Sequence, residues 1–193
     1  MRGQRRRGTA ALRTALLTLG VCTPSPPPGA AHSPTTTTSA TGAASSVVSS
    51  ALDRGPGSLR RALSSAEAGD VITFDQTVFP PDAPAVIAVE SELPHLSQGS
   101  VTVDGSNAGV ILDGGQLPGE GFVSGLGIDS DGNTIMGLQI VNFPGPGIGV
   151  GGGDGNTIGG NRAVGAGPIG QGNLTGDNGN GIALWGPASG NVV

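Results

Sequence analysis

The chain has 193 residues, 37 of them glycine, with one Trp, no Tyr and a net charge of −5. Glycine at this density without an every-third-residue period excludes collagen and demands frequent turns, and so few aromatic residues leave Val, Ile, Leu and Ala to build thin layers of pleated strands rather than a helical bundle. All nine basic residues are Arg and five lie in the first thirteen positions; the other four stand against fourteen carboxylates, a net charge of −10, which argues against nucleic acid or an anionic membrane surface as partner.

Residues 1–31 read as a signal peptide. A basic RGQRRRG precedes a short apolar run, TALLTLGVC, and the small residues GAA offer a cleavage site. The run is too short for a transmembrane span, which needs about twenty apolar residues. LGVC resembles the lipobox of bacterial lipoproteins, which would lipidate Cys22, although Val21 departs from the small residue expected before that Cys. Lipoprotein anchoring and free secretion therefore both stand. After cleavage no second Cys is available for an internal disulfide.

Residues 32–52 are rich in Thr, Ser, Pro and Ala and lack apolar periodicity, so a disordered linker is expected there. Residues 53–193 are expected to fold as one domain. Leu59, Ala62, Leu63 and Ala66 fall on one helical face, which predicts a short amphipathic helix from Ser58 to about Ala68, stopped by Gly69. DVITFD and AVIAVE then read as strands. Beyond them, short alternating apolar pairs recur between Gly, Asn and Asp turns, and strands this short must stack on copies of themselves.

A repeat supports stacking. GIDSDGNTIMG, GGGDGNTIGG and SGNVV align on Asn133, Asn156 and Asn191, spaced 23 and 35 residues apart, a period that points to a solenoid with variable loops. GPGSLRRAL with GDVITFD, then ELPHLSQGSVTVDG with GVILDG, then GNTIGG, GNLTGDNGNGIALWG and SGNVV together resemble a right-handed parallel β-helix of the pectin lyase-like class, in its bacterial secreted and surface-protein branch. The resemblance covers about 53–193. It implies an all-β, right-handed parallel β-helix solenoid with a short N-terminal capping α-helix, and a surface module for adhesion or carbohydrate contact.

DSDGNTIMG opens like a calcium loop, but Thr134 stands where an EF-hand requires Gly and Ile140 where it requires a bidentate Glu. No metal or cofactor is expected. Asn tolerates left-handed backbone and bonds neighbouring main chain, so Asn133, Asn156 and Asn191 are read instead as a structural turn ladder. Catalysis would need a carboxylate cluster with a base on one outer face. Arg162 with Asp154 and Asp177 offers only a weak surface site, and no catalytic residue is assigned. His95, in ELPHL, shows no nucleophile partner and reads as a surface or turn residue. If Ile182 and Leu184 point inward, alternation sends Trp185 outward, where it either stacks on a sugar ring or packs under a neighbour. Polysaccharide or a host or neighbouring cell surface is thus the expected partner. A polysaccharide lyase or glycoside hydrolase and a purely structural spacer are the alternatives. The chain stops after NVV without a polar cap, which predicts a C-terminal truncation or self-association through an open rung.

Overall fold

A computed structural model describes residues 44–119 and 121–193. The signal segment, Cys22 and the linker as far as residue 43 lie outside the described residues. The end of the expected linker lies inside them and is corrected: Ser45–Val48 forms strand β1, parallel to β2 (Val71–Phe74). Val48 is fully buried opposite Phe74, and the Ala44 N–H donates to Asp70 Oδ1 at 2.9 Å. Two valines in a Ser-rich stretch make a weak local signal. Pairing with VITF supplies what composition lacks.

Helix α1 spans Leu59–Ser65 and packs Leu59, Ala62 and Leu63 against β1. Ser58 caps it, its Oγ accepting from the Arg61 N–H at 3.3 Å and donating to the Gly55 carbonyl at 2.9 Å. The helix ends earlier than its apolar spacing predicts. Ser64 and Ser65 donate back to the Arg60 and Arg61 carbonyls, Ala66 turns extended, and Asp70 Oδ2 captures the Glu67 N–H at 2.9 Å. Ser58→Ala should lower the unfolding free energy by about 1 kcal/mol in urea denaturation, the usual worth of an N-cap.

The remaining strands are short: β3 (Ala85–Ala88), β4 (Thr102–Asp104), β5 (Val110–Asp113), β6 (Leu126–Ile128), β7 (Thr134–Met136), β8 (Leu138–Val141), β9 (Pro146–Val150), β10 (Thr157–Ile158), β11 (Leu174–Gly176) and β12 (Asn180–Leu184). All paired neighbours are parallel, in three sheets ordered β1-β2-β4-β7-β10, β3-β5-β8-β11 and β6-β9-β12. From β4 onward the chain visits the first, second and third sheet in turn and then repeats the circuit. The architecture is therefore β-rich and parallel, with one short helix among the described residues. None of the described helices is long and apolar enough to cross a membrane.

The core follows from register. Ile72, Val103, Ile135 and Ile158 align across the first sheet, Ile87, Leu112 and Ile140 across the second, and Leu126 with Ile148 across the third. All are buried, and burying each such side chain is worth roughly 1.5–3 kcal/mol. Phe74 and Phe79 close one end in an edge-to-face pair at 5.4 Å.

Asn133 and Asn156 are fully buried and Asn191 half-buried. Each Oδ1 accepts a main-chain N–H from the preceding circuit: Asn191 from Asn156 at 2.8 Å, Asn156 from Asn133 at 2.7 Å, and Asn133 from Val101 at 3.0 Å. The longer interval between Asn156 and Asn191 lies in the loop between β10 and β11. That loop doubles back over an earlier turn, where the Gly167 N–H donates to the Ser106 carbonyl, and rejoins through Asn173, whose side chain bonds Leu138 N and Ile135 O.

Candidate functional site

The strands of the third sheet send almost no side chains of their own to its outer face. Leu126, Ile148 and Ile182 share one inward register and Ile128, Val150 and Leu184 another, so the residues between them, Gly127, Gly149 and Ala183, face outward. His95 enters the same face from the circuit before, because its neighbour Leu96 bridges Ile128. The glycines leave room for the side chains that lie on them. A Cβ at Gly127 would stand 2.5 Å from the His95 ring, and one at Gly149 3.0 Å from the Trp185 ring.

These residues line a groove of about 320 Å³. Gly127, Gly149 and Gly151 form its floor, Glu92, His95 and Asp129 one rim, and Phe122, Ser124 and Trp185 the other boundary. Trp185, 37% exposed, meets Phe122 edge-to-face with centroids 5.3 Å apart. Across the groove, His95 Nδ1 lies 2.7 Å from Asp129 Oδ2 and Nε2 lies 3.1 Å from Glu92 Oε1. Glu92 is held from behind by Arg60, which donates to the Glu92 carbonyl at 2.6 Å while paired with buried Asp53 at 2.7 Å.

Only an imidazolium donates from both nitrogens. Burial works against that charge, but the hydrogen bonds to Asp129 and Glu92, together with their charges, outweigh it and raise the His95 pKa above the ordinary histidine value. The stabilisation from this clamp is fully present below the ordinary pKa and fades as pH rises through the raised one. The melting-temperature advantage of the native protein over His95→Gln should therefore be largest near about pH 5.5 and shrink by about pH 8. With His32 replaced, the NMR titration of the remaining histidine should move downward in Asp129→Asn.

The groove collects one residue singled out from sequence, Trp185, and one that was set aside, His95. Asp154 is exposed and serves a turn outside the groove: its N–H donates to Asp131 Oδ1 and its Oδ1 accepts from the Ser189 N–H at 2.7 Å. Arg162 lies in the exposed loop after β10, and Asp177 sits at a left-handed turn (φ 53°) before β12. Neither lines the groove, and among the described ion pairs neither takes part. Among the described residues no three His, Cys, Asp or Glu side chains are placed to share a metal ion. Glu92 stands three residues before His95, a spacing visible in the sequence, but Asp129 is 34 residues away and gives no such signal. Comparison of the chain with protein families, curated proteins and solved structures gives no significant match.

Proposed function

We propose that the protein is an exported surface module in which a right-handed parallel β-helix of the pectin lyase-like kind presents a carbohydrate-contact groove without chemistry of its own. The repeated circuit through three parallel sheets supports the β-helix reading. One observation carries the functional reading: an exposed indole beside a phenyl ring bounds a groove with a glycine floor and a polar opposite rim. Pyranose rings suit such a site, because their C–H faces pack on aromatic side chains while their hydroxyls seek carboxylate and imidazole partners. The His95 clamp favours binding over catalysis, since both ring nitrogens are already engaged and an acid or base role would first require breaking a bond to Asp129 or Glu92.

The test is retention on immobilised polysaccharides and a glycan array. Native protein is expected to be retained and Trp185→Ala to lose about tenfold or more in affinity, as loss of an aromatic anchor does. Equal retention of the variant would remove the groove from the account. Reducing-end or unsaturated products released at a steady rate would replace it with an enzyme, and no retention on any glycan would favour a spacer.

A further inference from the structure

We infer that the groove selects a glycan bearing a free, protonated amine; this rests on the carbohydrate reading of the same groove and adds its charge class. Glu92 and Asp129 bring two negative charges to the rim, and His95 brings at most one positive charge. No described arginine lines the groove; Arg60 and Arg54, which reach the Glu92 carbonyl and Ser91 from behind, are paired with Asp53 and, for Arg54, with Glu90 as well. The rim is therefore negative or neutral-to-negative in balance whether His95 is charged or neutral, and a uronate-bearing chain would meet repulsion with no arginine in the groove lining to offset it.

Geometry says where an ammonium would sit. His95 occupies Asp129 Oδ2 and Glu92 Oε1, and no hydrogen bond among the described residues engages Asp129 Oδ1. That oxygen overhangs the floor, 2.6 Å from where a Cβ on Gly151 would stand. Asp129, Gly151 and Trp185 directly follow the paired residues Ile128, Val150 and Leu184, so they succeed one another across neighbouring strands. Two strand spacings, about 9.6 Å, separate the backbone of Asp129 from that of Trp185, with Gly151, overhung by the Asp129 carboxylate, between them. A sugar ring held in the groove between the indole and that carboxylate would direct an amine to the free Oδ1. The aromatic pair adds to the preference, because an indole face attracts a cation.

The test is calorimetric titration of the full chain with a glucosamine oligomer, its fully N-acetylated counterpart and an oligogalacturonide, at low salt and at a pH where the amine is protonated. The amine oligomer is expected to bind about tenfold or more tighter than the acetylated one, with no detectable uronide binding, since a charge-assisted hydrogen bond is lost on acetylation. Asp129→Asn should bring the two affinities together, while Trp185→Ala should weaken both. Glu92→Gln, which leaves the His95–Asp129 contact in place, should narrow the preference if Asp129→Asn fails to fold. Equal binding of the two oligomers, or a preference unchanged in both carboxamide variants, overturns the amine inference and leaves the glycan groove standing. Failure of every glycan to bind overturns both.

Discussion

Replacing Asn133 with Ala should lower the unfolding free energy by about 3 kcal/mol, measured by urea denaturation of the purified chain, because it strips partners from buried polar groups worth roughly 1–3 kcal/mol each. The Val101 N–H would lose its acceptor at 3.0 Å, the Ser130 carbonyl its donor at 2.9 Å, and Asn156 Oδ1 one of its two donors. The Val101 N–H and Asn156 Oδ1 are buried, so water does not replace those two bonds, whereas the Ser130 carbonyl is only half-buried. Asn133→Asp should be worse at neutral pH and recover in acid, since a carboxylate there would face the Ser130 carbonyl and Asn156 Oδ1. Asn191→Ala removes the acceptor of the Asn156 N–H and a longer bond to the Gly153 carbonyl, both at a half-buried site open to water, and should cost only about 1 kcal/mol. Equal costs for Asn133→Ala and Asn191→Ala would mean that burial does not govern the ladder. Asn156 has its own asymmetry: its Nδ2 is buried with no acceptor in reach, so its contribution comes from the oxygen alone.

Gly149→Leu should abolish glycan retention, a loss of at least about 30-fold in affinity, while the protein still folds. The backbone of β9 permits the change, as Gly149 is not among the positive-φ glycines. The new side chain, however, would begin 2.7 Å from Ser124 Oγ and 3.0 Å from the Trp185 ring, at the middle of the groove floor. It would lift the indole and fill the space a sugar ring needs. Circular dichroism and melting should report a folded protein that has lost about 1–3 kcal/mol to overpacking. Retention equal to that of the native protein would show that ligand lies elsewhere.

Much of the local structure was legible because its causes are local. Alternation in VITF identified a strand, of which the structure buries the Ile72 and Phe74 face, and the Leu59, Ala62, Leu63 spacing identified the helix. The helix end was misplaced because Ser64, Ser65 and Asp70 redirect the backbone through side-chain bonds that apolar spacing does not record. SSVV was missed because a four-residue strand with only one buried side chain exists through its partner. Alternation also aligns Leu184 with buried Val150, yet Leu184 remains 47% exposed, because β12 is the outermost strand of its sheet. Inward direction and burial are separate facts, and only the second depends on having a neighbour.

By itself the sequence determined where the chain turns and which side chains each short strand sends inward, because Gly, Asn and Asp conformations and period-two alternation act within a few residues. It also exposed the recurrence of Asn133, Asn156 and Asn191 ahead of apolar residues. Only the tertiary structure decided which outward side chains share a face. His95, Asp129, Gly149 and Trp185 meet because circuits of unequal length come into register through main-chain pairing, and the loops between β5 and β6 and between β10 and β11 absorb most of the difference. Sequence distance carries no trace of that registration, so the groove, its charge and its clamp emerged only when the strands were laid side by side.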